Sequence, residues 1–294
     1  MKKMLFIINP RSGREQIGGY LLKILDLFTK AGYEVLVHVT QRQKDAEETA
    51  RRLGGQMDIV VCSGGDGTLN ETISGLMRLD KIPPFGYIPA GSTNDFASSL
   101  KIPKNMEEAA VKLTEGSEVP IDIGDFCGER YFVYIAAFGV FTEVSYQTPQ
   151  DRKNMLGHPA YMLEGVKSLS SIRPCRMKVT WAEGELEEDF VFGMVTNTRS
   201  VGGFKGLVNQ SVELNDGLFE VLLVRMPKTA GDLSNILSYL FRKEEPNEYV
   251  YRFKTSGISF LSEQDTDWVL DGEYGGARTR VEIANLREQC RILL

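Results

Sequence analysis

The stretch that most restricts how this chain can fold is Ser63-Gly64-Gly65-Asp66-Gly67-Thr68-Leu69-Asn70-Glu71. It follows Met57-Asp58-Ile59-Val60-Val61-Cys62, a short apolar, β-branched run of the kind that forms a strand buried on both faces. It leads into Thr68 to Leu79, where Leu69, Ile73 and Leu76 return at helical spacing. A strand, three glycines and a helix start make a turn suited to phosphate. The glycines let backbone N–H groups approach a polyanion with no Cβ in the way, and the helix N-terminus adds donors and partial positive charge. Glycines at such a turn can also serve tight packing alone. Packing, however, needs none of Asp66, Thr68, Asn70 and Glu71.

Two common nucleotide loops are excluded. The chain has no Gly-x-x-x-x-Gly-Lys-[Ser/Thr], and this turn lacks the Gly-x-Gly-x-x-Gly spacing of dinucleotide folds. Instead Asp66 stands where phosphates would lie. A carboxylate beside phosphates makes sense when a cation bridges them or when it receives a proton, and both point to Mg-nucleotide chemistry.

The preceding residues supply the rest of a sheet. Lys3 to Ile8 reads as a buried strand ending at Asn9-Pro10-Arg11-Ser12-Gly13, a second loop whose Ser12 and Gly13 can offer donors. Asn-Pro and Ser-Gly are also ordinary turn dipeptides. Ile17, Leu21, Leu22, Ile24, Leu25 and Phe28 form an apolar helix face closed by Ala31-Gly32. Tyr33 to Thr40 alternates as a strand, and Lys44 to Leu53 reads as a polar-faced helix. This β–α alternation predicts a parallel sheet covered by helices, with ligands at the carboxyl ends of its strands. Asn9, Thr40 and Gly65 would all emerge at that edge. Pro84 to Pro89 is a further strand, delivering Ala90-Gly91-Ser92-Thr93-Asn94-Asp95-Phe96-Ala97. Its hydroxyls, amide and carboxylate fit either a helix cap or a ligand-facing edge.

From Arg130 onward the rhythm changes to short strands: Tyr131–Ile135, Cys175–Trp181, Asp189–Thr196, Leu218–Val224, Tyr249–Lys254, Ile258–Leu261, Trp268–Asp271 and Thr279–Ile283. Strands punctuated by turns predict an antiparallel sandwich. Gly184, within the acidic Glu183 to Asp189, reads as a solvated hairpin tip. Met155 to Leu169 reads as helical, inside a basic stretch, Arg152 to Lys178, that is either a solvated face or a contact for lipid headgroups. Leu233, Ile236, Leu237 and Leu240 make a helical stripe for packing on a sheet. Two turns can carry chemistry. Glu213-Leu214-Asn215-Asp216-Gly217-Leu218 offers oxygens to a hard cation, or is a plain Asn-Asp-Gly turn. Asp271-Gly272-Glu273 offers a general base, or is a hairpin.

Composition bounds the alternatives. At 294 residues, two domains are expected. A formal net charge of −6 argues against nucleic acid as a partner. Cys62, Cys127, Cys175 and Cys290 have no paired spacing and read as free thiols of a reducing cytoplasm, while His38 and His158 are too far apart to suggest zinc. The apolar start, Met4 to Ile8, stops at Asn9-Pro10-Arg11, and Val133 to Phe141 falls far short of the ~20 residues of a membrane helix. A soluble protein without a transmembrane segment is expected. Its oligomeric state, a homodimer included, stays open.

Taken in order, Asn9-Pro10-Arg11-Ser12-Gly13, Gly64 to Glu71, Gly91 to Ala97, Asn215-Asp216-Gly217 and Asp271-Gly272-Glu273 resemble the bacterial diacylglycerol kinase-like lipid kinases, relatives of sphingosine and ceramide kinases. The glycine–aspartate loop alone is shared with NAD kinases and phosphofructokinases; Thr93-Asn94-Asp95-Phe96 and Asp271-Gly272-Glu273 narrow it. The resemblance implies a Rossmann-like, NAD kinase-like α/β domain (1–126) that binds the nucleotide, with 285–294 packed back on it. It implies an all-β sandwich (127–284) that forms the lipid side of a cleft. It also implies that Asn9, Pro10, Arg11, Ser12, Gly13, Thr40, Gly65, Asp66, Gly67, Thr68, Leu69, Asn70, Glu71 and Thr93 hold ATP with Mg²⁺. By the same resemblance Glu273 is the proton acceptor, with Asp271 beside it, and Asp66 organises the catalytic Mg²⁺. A structural Mg²⁺ would sit at Glu213, Asp216 and Leu218, although the family often has a second aspartate where this chain has Asn215. The implied reaction is phosphorylation of a lipid hydroxyl, diacylglycerol to phosphatidic acid, by a cytoplasmic enzyme visiting the inner membrane face. An NAD kinase-like phosphotransferase and a non-catalytic lipid-binding regulator are the other two function classes.

Overall fold

The computed structural model describes residues 1–13, 17–140, 173–201, 212–242 and 247–294. They divide into two compact units, Met1–Ile123 with Arg287–Leu294, and Gly124–Leu286. In the first, β1 (Lys2–Ile8), β2 (Tyr33–Val39), β3 (Ile59–Gly64) and β4 (Phe85–Pro89) pair in parallel in the order β2-β1-β3-β4. The apolar runs form these strands because both faces are covered: β3 and β4 are buried along their whole length. Neighbouring side chains on β1 and β2 point to opposite faces. Phe6 therefore meets Phe28 of α1 (Ile17–Lys30) edge-on at 5.6 Å. His38 lies 3.1 Å from Asp45 of α2 (Asp45–Leu53) on the other face. Helices α3 (Asp66–Leu76), α4 (Asp95–Ser99) and α5 (Met106–Glu115) complete the layers. Asn105 caps α5 by accepting from the Glu107 and Glu108 amides. Strand β5 (Glu118–Phe126) follows, and residues 287–294 join this unit through Ile292, which pairs in parallel with Phe85.

The second unit is antiparallel. Its strands are β6 (Arg130–Phe132), β7 (Ile135–Gly139), β8 (Cys175–Trp181), β9 (Gly184–Thr196), β10 (Phe219–Arg225), β11 (Val250–Thr255), β12 (Gly257–Leu270) and the first part of β13 (Glu273–Leu293). The order runs β11-β10-β9-β7-β12-β13, with β8 also between β9 and β12. β7 and β8 lie end to end along β9, since Gly139 pairs with Phe192 and Cys175 with Phe190. The core gathers Phe126, Phe138, Phe260 and Trp268, whose rings meet at 4.9 to 5.7 Å. Helix α6 (Ala230–Arg242) buries Ile236 and Leu240.

Three expectations need correction. Tyr131–Ile135 is not one strand: the amides of Val133 and Tyr134 leave the ladder for a carboxylate, so β6 stops and β7 starts afresh. The strand expected from Asp189 begins earlier: Gly184 does stand at the hairpin tip, paired with Trp181 across the Ala182-Glu183 turn, but Glu185 to Glu188 already belong to β9, because β8 sets cations opposite them. Arg176 reaches Glu187 at 3.0 Å and Lys178 reaches Glu185 at 2.8 Å. Those pairings also remove two cations from the expected basic patch, whose residues 152–172, with the expected helix Met155–Leu169 and His158, lie outside the described residues. Finally, the strand segments near residues 258–271 and 279–283 are parts of two long strands, β12 and β13.

All four cysteines are free thiols. Burial pushes the thiols of Cys62 and Cys290 up to about 12. At pH 8, titration of the native protein with Ellman's reagent should therefore register at most the half-buried Cys127 and Cys175, and all four thiols after denaturation. Rapid reaction of Cys62 in the native state would contradict this packing.

Candidate functional site

Four loops leave the carboxyl edge of the parallel sheet, and backbone hydrogen bonds bind them to one another. The Asn9 amide donates to Ser63 O at 2.8 Å, Thr40 to Ile8 O at 2.8 Å, and Ala90 to Gly64 O at 2.8 Å. Side chains extend the connections. Asn9 Nδ2 donates to Thr68 Oγ1 (2.9 Å), the Gly65 amide donates to Ser12 Oγ (3.2 Å), and the Lys44 amide donates to Glu71 Oε1 (2.8 Å). Asn9, Ser12, Gly13, Thr40, Gly65, Asp66, Thr68 and Glu71 thus belong to one connected edge. Leu69 is fully buried in the core, so it can offer a ligand only its backbone. Arg11 and Thr93 are exposed on the loops.

Close backbone approach explains two of the glycines. A Cβ on Gly91 would lie 2.6 Å from the Cα of Gly65, so the two turns touch only because Gly91 carries no side chain. Gly13 has φ +58°, and a Cβ there would meet Ala90 O. The first turn of α3 follows this contact and points its N–H groups away from the helix, an arrangement suited to phosphate oxygens.

Asp66 opens α3 and spans to the neighbouring turn. Its Oδ2 accepts from the Asp95 amide (3.1 Å) and its Oδ1 from the Phe96 amide (3.4 Å), so a carboxylate sits against the start of α4. Asn94, at φ 53°, braces the same turn: its Oδ1 accepts from the Gly91 amide (3.0 Å) and its Nδ2 donates to Gly91 O (2.7 Å). The Tyr87 hydroxyl lies 3.1 Å from both Gly64 O and Asn94 Oδ1 and shares its proton between them. Burial, with the negative charge of Asp66 nearby, holds that phenol well above its ordinary range. Sequence reasoning missed Tyr87, because a tyrosine in a buried strand carries no local signal of the carbonyl it will meet.

In the second unit, Asp271-Gly272 is a two-residue hairpin turn between β12 and β13, with φ of 49° and 84°. It pairs Leu270 with Glu273 and leaves Glu273 exposed at the head of β13. Asp271 itself is buried. Its Oδ2 accepts from the Val133 amide (2.6 Å), and its Oδ1 from the amides of Tyr134 (3.0 Å) and Ile135 (3.0 Å). The two candidate acids therefore differ: one is spent on backbone, the other faces solvent. At the remaining candidate turn, Asp216 Oδ1 accepts from the Leu218 amide (2.9 Å), Gly217 takes φ 80°, and Glu213 is exposed. Asp216 Oδ2 lies 3.1 Å from Lys254 Nζ, a residue that nothing in the local sequence tied to this turn.

A family model described as diacylglycerol kinase catalytic domain matches residues 3–126. A diacylglycerol kinase of Bacillus subtilis (strain 168) is 37% identical over 279 residues, covering 94% of this chain and 91% of the relative. The chain belongs to the diacylglycerol kinase family. That membership makes it an enzyme, a lipid kinase. A Staphylococcus saprophyticus diacylglycerol kinase is 34% identical over 94% of this chain and 90% of its own length. A solved structure of a provisionally assigned diacylglycerol kinase from Bacillus anthracis str. Sterne superposes with a TM-score of 0.86 at 26% identity, covering 99% of this chain and 96% of that one.

For a diacylglycerol kinase, ATP and a divalent ion are the general requirements, and the first unit's edge fits them: α3 begins at the glycine bend, where a helix N-terminus leaves N–H groups without intrahelical partners, and the Asp66 carboxylate stands beside it. The glycine contact gives a direct check. Gly91→Ala should cost about 1–3 kcal/mol in urea unfolding, because backbone must move to admit the methyl. Gly19→Ala in α1, with nothing within 4 Å of the added Cβ, should instead gain about 0.5–1 kcal/mol. Equal stabilities of the two variants would contradict the close approach.

Proposed function

We propose that this lipid kinase transfers the γ-phosphoryl group of ATP, carried with Mg²⁺, to the free hydroxyl of diacylglycerol, giving phosphatidic acid and ADP. The observation that supports this most is the Asp66 carboxylate within a glycine-bent strand-to-helix turn, in a chain whose relatives are named diacylglycerol kinase along nine-tenths of their length. In this reading the first unit is a Rossmann-like, NAD kinase-like nucleotide domain (1–126 with 285–294), and 127–284 is a β-sandwich that receives the lipid. Residues 9–13, Thr40, Gly65 to Glu71 and Thr93 hold the nucleotide.

When bound, the Mg-nucleotide supplies the electrophilic phosphorus and neutralises charge on the phosphates. Asp66, whose oxygens also accept from the Asp95 and Phe96 amides, would help hold that metal, and the amides of the glycine turn would offset negative charge on phosphate oxygens. Glu273, exposed at the hairpin, accepts the proton of the lipid hydroxyl. Asp271 is buried and its two oxygens already accept from three backbone amides, so in this reading it positions the hairpin rather than reacts. Diacylglycerol resides in a bilayer, and no described helix is long and apolar enough to cross one. The reading accordingly places the enzyme in the cytoplasm, working peripherally at the inner membrane face.

Mass spectrometry of a total lipid extract incubated with protein and Mg-ATP should show phosphatidic acid as the new species. A phosphorylated sphingoid base in its place would overturn the acceptor. Glu273→Gln should lower turnover about 10²–10⁴-fold with ATP affinity retained, as calorimetry would show. Asp66→Asn should weaken use of Mg-ATP, moving the Mg²⁺ titration of the rate to higher concentration; an unaltered Mg²⁺ titration would remove Asp66 from that role.

Asp271→Asn gives a separate outcome. An amide cannot accept from three N–H groups without turning a donor toward one of them, so thermal unfolding should reveal a loss of about 1–3 kcal/mol. The variant's turnover should fall less than that of Glu273→Gln. A Glu273-like loss of rate with unchanged stability would give Asp271 the chemical role instead.

A further inference from the structure

We infer that the ammonium of Lys254 takes the place of a metal ion at the Glu213–Leu218 turn, so that this turn is complete without a divalent cation. The inference stands apart from the phosphoryl-transfer reading, which rests on Asp66 and Glu273. Strands β10 and β11 pair in a register that sets Lys254 directly opposite Glu220. From there Nζ reaches Glu220 Oε1 at 3.0 Å and Asp216 Oδ2 at 3.1 Å, between the two carboxylates. The other oxygen of Asp216 is already taken by the Leu218 amide. Glu220 is the more buried partner, with a side chain only 14% exposed. Neither of its buried oxygens has an aligned hydrogen-bond donor, so the nearby positive charge is what compensates it.

A divalent ion bound to the same oxygens would have to displace that ammonium or sit beside a like charge. Its side-chain ligands would also be few: among the described residues no three Asp, Glu, His or Cys side chains gather around a common point, so most of the six or more oxygens a hard cation takes would have to be water or backbone carbonyl. The two carboxylates and one lysine form a closed ionic cluster whose geometry comes from strand register.

The test is thermal melting of the full chain without nucleotide, in chelator, in millimolar Mg²⁺ and in millimolar Ca²⁺. The wild-type protein should melt at one temperature in all three. Lys254→Met should melt about 2–6 °C lower in chelator and recover part of that loss in Ca²⁺ or Mg²⁺, because its two carboxylates are then bare. Lys254→Met combined with Glu220→Gln should regain stability with no response to either ion. A wild-type melting temperature that rises with Mg²⁺ or Ca²⁺, with the rise abolished by Asp216→Asn, would overturn the inference. So would a Lys254→Met variant that melts like wild type. If Lys254→Met does not fold, the wild-type and Asp216→Asn melts decide the question alone.

Discussion

The first unit is organised around one contact, the backbone of Gly65 against that of Gly91. It joins the turn after β3 to the turn after β4 at a distance that no side chain on Gly91 would permit. Once the turns touch, their polar groups satisfy each other. Asp66 accepts from the start of α4, Asn94 closes on Gly91, and Tyr87 sits between Gly64 O and Asn94 Oδ1. A buried polar group left unpaired costs about 1–3 kcal/mol, so these bonds act mainly by preventing that loss and by fixing the loops as one piece. Fixed loops hold their amides in place in advance, which is the condition for electrostatic preorganisation toward an anion.

The second unit depends on a comparable commitment at Asp271. A non-glycine residue in the left-handed region costs about 1–2 kcal/mol. Three hydrogen bonds to a charged acceptor, each worth about 1.5–3 kcal/mol, outweigh that strain even when they are not additive. The result is a hairpin whose turn is anchored from inside while its next residue, Glu273, is left outside. Two acids one residue apart in sequence thus acquire different surroundings through burial.

Much of the first unit was legible because its signals are local. β-Branched apolar runs, helical spacing at Leu69, Ile73 and Leu76, and glycines between them are all read within a few residues. The Asp66 turn was legible for the same reason, and so were the alternative readings of Asp271-Gly272 as a hairpin and of Asp216-Gly217 as a turn. What escaped was decided at long range. The break between β6 and β7 is set by a carboxylate 137 residues from Tyr134. The acidic start of β9 is a strand because Arg176 and Lys178 face it, and Lys254 meets Asp216 only through the register of β10 and β11. No pattern within a single segment encodes those pairings.

The most direct measurement is backbone amide hydrogen exchange with and without Mg²⁺ and a non-hydrolysable ATP analogue at saturation. The account predicts slowed exchange at Asn9 to Gly13 (Pro10 carries no amide hydrogen) and at Gly65 to Leu69, with the β8–β9 hairpin unaffected. Unchanged exchange at Gly65 to Leu69 under conditions where the analogue is bound would contradict the claim that this glycine turn grips the phosphates.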